Sequence, residues 1–262
     1  MDLLTTWIDR SAELRIAAVD ATRTARALCL LHDLDGLRAR RFSEVLAGAA
    51  VLASELKARQ TLSLQVDLDE DAYHVDATPT GLLRAMATGR SHPSVSTRVH
   101  ARRMDPDGVS YQSVVQVVVP AVDAALEAYM RQSEQQVCRV ETLVDLDAEG
   151  LPSRVRGAWL RGFPATPRDL LESLFQGWAE RKGSWNAASP WVGLPLGPWD
   201  ALGSLEVEAF CPCDRHRALG ALVALGSEAI QEARDRGEEM EVVCDFCRKR
   251  YAFPPQELSG SS

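Results

Sequence analysis

Positive charge, aromatic residues and long apolar runs are all in short supply in this chain. Its 29 lysines and arginines stand against 37 aspartates and glutamates, leaving a formal net charge of −8. That balance argues against nucleic acid as a general partner, because phosphate binding needs a basic face that releases counterions. No stretch approaches the roughly 20 consecutive apolar residues that cross a bilayer, so no membrane partner is expected. The opening MDLLTTWIDR carries Asp2 where a secretory signal would carry positive charge, and no apolar run follows it. A cytoplasmic, reducing location is therefore expected. Catalytic signatures are missing as well: there is no phosphate-cradling loop, nucleophile elbow or zinc-protease motif, and His32, His74, His92 and His100 lack partners in sequence. The chain is not expected to be an enzyme.

What is present suffices for a large domain with a small appendage, since 46% of the 262 residues are apolar. FSEVLAGAAVLASEL places Phe42, Val45, Leu46, Ala49, Leu52, Ala53 and Leu56 on one helical face. TLSLQVDL then alternates apolar and polar residues, and AYHVDA follows across the acidic DED, which predicts a hairpin turning at DED. A second hairpin is predicted from VSTRVHARR and VSYQSVVQVVV, which flank the turn signal DPDG. AVDAALEAYMRQSEQ is helical in period, and VCRVETLVDLDAEGLPSRVRGAWLRGF reads as two strands around DAEG. Residues 1–163 thus form an α+β unit with an antiparallel sheet and packed helices.

A second segment, 164–204, has a different composition. TPRDLLESLFQGWAERK opens with Thr166, Pro167 and Asp169 in the manner of a capping box and aligns Leu170, Leu171, Leu174, Phe175 and Trp178 on one face. GSWNAASPWVGLPLGPWD follows without a period, rich in Gly and Pro, yet with Trp185, Trp191 and Trp199. A free linker lacks such aromatic content, so packing onto a surface is expected.

Residues 205–258 form a third segment, before a short tail at 259–262. A module of about 50 residues rarely stands on its own core. It contains CPC at Cys211 and Cys213, two short helices, and strand, CDFC knuckle and strand around Cys244 and Cys247. In a reducing compartment such pairs read as metal thiolates before disulfides, and one four-cysteine zinc site would staple the module. Arg215, Arg217, Arg248, Lys249 and Arg250 lie within a few residues and would offset the negative charge of four thiolates. Those surroundings also favour the oxidisable thiolate form. Spacing alone leaves two readings open, an inert staple or a redox-sensitive one. His216 is a weaker candidate ligand, and Cys29 and Cys138 read as buried structural thiols. DLDAEG imitates the start of a calcium loop, but Arg156 stands where the closing glutamate belongs, so a turn is expected.

The CxC, the helix RALGALVALGSEAI and EVVCDFCRKRYAF together resemble the zinc module of the redox-regulated heat-shock protein 33 family. ELRIAAVDAT, AGAAVLASELKARQTLSLQV and above all AYMRQSEQ resemble the same family in the same order. The resemblance implies an ATP-independent holdase for unfolding proteins under oxidative stress. It implies one zinc on Cys211, Cys213, Cys244 and Cys247 in the reduced, inactive form. Oxidation would join Cys211 to Cys213 and Cys244 to Cys247, release the zinc and loosen a linker whose switch candidates here are Trp178, Trp185, Trp191 and Trp199. It further implies a client-binding and dimerising N-terminal domain, a homodimer when oxidised, and hand-over of clients to ATP-dependent chaperones. Where relatives carry a glycine-rich hairpin this chain has DLDEDAYH, and its linker is more tryptophan-rich. A constitutive zinc-module adaptor and a thiol-disulfide oxidoreductase are the other function classes in view.

Overall fold

The N-terminal residues form two antiparallel strands, β1 (Leu3–Asp9) and β2 (Leu14–Asp20), followed by helices α1 (Thr22–Leu31) and α2 (Gly36–Ala53). A long meander comes next, β3 (Thr61–Ala77), β4 (Leu82–Asp105) and β5 (Gly108–Val117), then α3 (Val122–Gln132), β6 (Cys138–Leu146) and β7 (Pro152–Gly162). Helix α4 (Arg168–Glu180) leads into the tryptophan-rich stretch, and β8 (Asp200–Glu206) and β9 (Glu208–Ala209) close the first unit. The second unit holds α5 (Arg215–Ala224), α6 (Ser227–Arg236), β10 (Met240–Val243) and β11 (Arg250–Phe253). This computed structural model describes the chain except residues 12, 182, 193, 195, 196, 225, 226 and 258–262 and the side chains of 90–95, 110 and 227. The 259–262 tail lies outside the described residues.

The chain divides into Met1–Ala209 and Phe210–Ser262, so the second unit begins later than the expected residue 205. The reason is pairing: β8 adds to β1, and β9 runs parallel to the start of β4. Six of the seven residues of β8 are exposed and Leu205 is half-buried, so its attachment is mostly backbone ladder.

The first unit contains two sheets, one ordered β6-β7-β2-β1-β8 and one built on β3-β4-β5. The first of these is covered on both faces. Ala17, Val19, Val155 and Trp159 face the main core with Phe42, Leu46 and Val51 of α2. Leu14, Ile16, Ala18, Ala158 and Leu160 face the opposite way, against Leu174, Phe175 and Trp178 of α4. This explains why β2 reads as a nearly continuous apolar run rather than an alternating one. Trp159 ties sheet to helix, its indole N–H donating to the Val51 carbonyl at 2.7 Å.

Two expectations are corrected. DED does not turn the chain; β3 passes through it as one strand, with register shifts between Asp67 and Asp69 and between Asp69 and Asp71. Asp69 takes a φ of 56°, a bulge rather than a reversal. The acids tolerate this because they are neutralised in place: Arg38 donates to both oxygens of Asp71 at 3.0 and 2.8 Å, and His100 and Arg98 lie near Asp67. The reversal falls at TPTG, where Gly81 has φ 87° and the Leu82 N–H donates to the Thr78 hydroxyl at 3.1 Å. Thr166 likewise does not cap α4; its hydroxyl donates to the Glu13 carbonyl at 2.7 Å, and the helix starts after Pro167 with no side-chain cap.

Gly157 of β7 lets α2 approach the sheet, since a Cβ there would stand 2.9 Å from the Ala47 carbonyl oxygen and 3.0 Å from its Cβ. Gly157→Val should therefore lower the stability of the first unit by about 1–3 kcal/mol through overpacking. Urea unfolding checks this as a lower midpoint at unchanged slope; an unchanged midpoint would mean that α2 is free to shift.

Candidate metal centre

Among the described residues, the core of the second unit consists of Ala218, Leu222, Ile230, Tyr251 and Phe253, with Cys213, Leu219, Met240 and Val242 packed beside it. So little apolar burial does not hold a module of this size without a further cross-link. The cysteines stand where one is needed. CPC precedes α5, which Asp214 caps by accepting the Arg217 N–H at 2.8 Å. CDFC forms the tip of the β10–β11 hairpin, whose strands end on the pair Val243 and Arg250. There the Cys244 N–H donates to the Lys249 carbonyl at 2.9 Å, and the Arg248 N–H donates to the Cys244 carbonyl at 2.8 Å. Arg248 adopts φ 58°, which closes the knuckle.

The fold brings all four cysteines together, their sulfurs lying within 4.8 Å of one another. Cys211 and Cys244 sulfurs are 3.7 Å apart, and those of Cys213 and Cys247 are 3.2 Å apart. A tetrahedral zinc with bonds of about 2.3 Å implies sulfur separations of about 3.8 Å, so the donor set fits one ion of that kind. His216 is not part of the cluster. Cys29 and Cys138 are buried in the first unit, where desolvation pushes their thiols up to about 11 and about 12 and leaves them unreactive.

Electrostatics at the cluster are uneven. The Tyr251 hydroxyl donates to the Cys213 sulfur at 3.2 Å and draws that thiol down to about 7. Burial pushes Cys247 up to about 12 and raises Cys211. The flanking basic residues are largely engaged elsewhere: Arg215 pairs with Glu257 at 2.6 Å and covers the Phe253 ring, Lys249 covers the Tyr251 ring, and Arg250 pairs with Glu241 at 2.9 Å. Arg217 reaches the Pro212 carbonyl inside CPC at 3.0 Å. Tyr251 is the contributor that the sequence reading missed. Its signal was the alternation in RYAF, which puts Tyr251 and Phe253 on the same inward side of β11.

The four linker tryptophans gather elsewhere, on the outer face of the first sheet. Trp178 and Trp185 are 2% and 3% exposed, and Trp191 and Trp199 pack against the same cluster. Trp191 meets Trp7 edge to face with ring centroids 4.6 Å apart. Polar clips hold the irregular backbone: Arg156 donates to the Trp185 carbonyl at 2.7 Å, and buried Glu141 accepts the Gly183 N–H at 3.1 Å. The indole N–H groups of Trp178, Trp185 and Trp199 are nevertheless buried without an acceptor among the described residues.

A sequence model of the family described as Hsp33 protein matches residues 2–254. A 33 kDa chaperonin of Thermodesulfovibrio yellowstonii is 25% identical over 98% of both chains, and one from Syntrophotalea carbinolica is 24% identical over 94% of both. Among solved structures, the 33 kDa chaperonin of Thermotoga maritima, titled a heat shock protein 33 homolog, superposes with a TM-score of 0.82 at 18% identity. That superposition covers 98% of this chain and 96% of that one.

Reduced protein should carry about one tightly bound divalent ion per chain, measured by inductively coupled plasma mass spectrometry after gel filtration. The double variant Cys211→Ser and Cys213→Ser should carry almost none, and full loading of that variant would remove these residues as ligands.

Proposed function

The chain belongs to the Hsp33 family, and from that membership we propose that it is a cytoplasmic, ATP-independent holdase chaperone switched on by oxidation. The observation that carries the reading is the four-sulfur cluster in a unit whose own core is too small. Zinc, when bound there by Cys211, Cys213, Cys244 and Cys247, supplies the cross-link between the start of the unit and its hairpin. Its binding is worth about 10–16 kcal/mol in small peptides, on the scale of a whole domain's stability.

Oxidation removes the ligands. In each pair two thiolates give two electrons to a peroxide, one S–S bond forms as the O–O bond breaks, and two protons complete two molecules of water. Disulfide sulfur binds zinc poorly, so the unit loses its cross-link and melts. Proximity in the folded cluster does not select the pairing, because all four sulfurs are neighbours. In the melted unit, Cys211 meets Cys213 and Cys244 meets Cys247 far more often than partners 33 or 34 residues away.

Melting then reaches the segment before it. The tryptophan linker is docked by apolar burial but has three buried indole N–H groups without acceptors, each costing about 1–3 kcal/mol. Such a segment holds in place only with support, and its departure would uncover Trp7, Leu14, Ile16 and Leu160 for unfolding clients. Dimerisation of the oxidised form and hand-over of clients to ATP-dependent chaperones belong to the same reading.

Peroxide with mild heating should release about one zinc per chain and convert the protein into one that suppresses aggregation of a thermally unfolded client. Released zinc and light scattering are read in the same sample. Retained zinc with no gain in activity would instead support a constitutive adaptor, and thiol-dependent turnover of a disulfide substrate would support an oxidoreductase.

A further inference from the structure

The motif AYMRQSEQ has no part in the metal centre, yet its end is held firmly. Glu134 accepts the Tyr129 hydroxyl at 2.6 Å and pairs with Arg103 at 2.5 Å, and Gln135 adopts φ 54°. This locked turn leads Gln136 to the wall of a cavity of about 560 Å³ bounded by the end of α3, the end of β7 and the start of α4. The Gln136 Oε1 atom is buried without a hydrogen-bond donor among the described residues.

The same cavity is lined by three guanidinium groups. Arg161 is committed to Glu55 and lies 4.7 Å from the Phe163 ring. No ion pair joins Arg131 or Arg168 to an acid among the described residues, and both are exposed enough to move onto a ligand. The first turn of α4 borders the space without a side-chain cap, which adds the positive end of the helix dipole. Glu172 is the one carboxylate on the wall, so the two free arginines leave an excess of positive charge. Phe163 and Phe175 supply apolar surface. The volume lies in the range of small-molecule sites, about 300–1,000 Å³.

We propose that this cavity binds a small carboxylate that has an apolar or aromatic body and one N–H donor. The carboxylate meets Arg131 and Arg168 in the planar, forked geometry that guanidinium groups favour. Gln136 Oε1, buried without a donor among the described residues, turns towards the cavity to accept the N–H, and the body lies against Phe163 and Phe175. Because one wall is α4 and the others belong to α3 and β7, the ligand pins the linker helix to the sheet. This consequence rests on the holdase reading, whereas binding itself does not: a bound ligand is a brake that raises the threshold for linker release.

N-acetyl-phenylalanine has all three features and serves as the probe, titrated calorimetrically into reduced, metal-loaded full chain. One-to-one binding is expected, with N-acetyl-phenylalaninamide, which lacks the charge, weaker by about tenfold or more. Arg131→Gln and Arg168→Gln should each weaken the acid by about the same factor while leaving the amide unchanged. Hydrogen exchange of α4 should slow with the acid in the parent chain and not in the variants. Equal affinity for acid and amide, absence of binding, or variants that bind like the parent would each overturn the site. Binding without slower exchange in α4 would overturn the brake. None of these measurements uses a client or an oxidant, so a failed chaperone assay leaves them intact, and their failure leaves that assay untouched.

Discussion

A unit with six buried apolar residues among those described depends on whatever joins its two ends, and here that junction is four sulfurs within 4.8 Å. Apolar burial is graded, since losing one side chain weakens a core without abolishing it. A four-thiolate junction is all or none, because every ligand must be present and deprotonated. On the function proposed above, placing the stability of the unit in sulfur rather than in hydrocarbon makes its folding depend on redox state, a variable to which an ordinary core is indifferent. The contrast with Cys29 and Cys138 is instructive: the same side chain, buried among apolar neighbours with its thiol pushed up, has no such sensitivity.

The first unit answers a different constraint. Its five-stranded sheet is apolar on both faces. Helices of the main core cover one face, while the other is covered by α4 and an irregular tryptophan-rich stretch. Indoles suit this task because they bury much area with few rotatable bonds. They also carry an N–H that the apolar face cannot satisfy, and three of the four linker indoles are in that position. The cover thus combines large apolar burial with a polar penalty.

Much of this was legible in the chain. The α+β class, the helices at α2, α3 and α4, the β4–β5 hairpin and the CxC and CxxC constellation follow from period, turn residues and spacing, which are local signals. The failures were nonlocal. DED reads as a turn only if its acids need water, and the partners that neutralise Asp71 and Asp69 are Arg38 and Arg41, both from α2. Thr166 reads as a cap only if its hydroxyl has no better acceptor, and Glu13 supplies one from far away in sequence. Residue 205 is the expected start of the last module, but backbone pairing assigns β8 and β9 to the first unit. Tyr251 lies within four residues of Cys247, yet its bond to Cys213 spans 38 positions.

Strand β8 is exposed nearly throughout and is joined to β1 chiefly through main-chain hydrogen bonds, with Thr5 and Ser204 adding a hydroxyl contact at 2.8 Å. It is also the outermost strand of its sheet and lies just before the second unit in the chain. Were β8 to peel away, β1 would become the rim of the sheet, with a row of N–H and C=O groups suddenly without partners. Such a rim recognises any extended backbone, whatever its side chains. The strand therefore moves the open rim of the sheet away from β1, which carries buried Leu4 and Trp7, out to a short segment with almost no buried side chains.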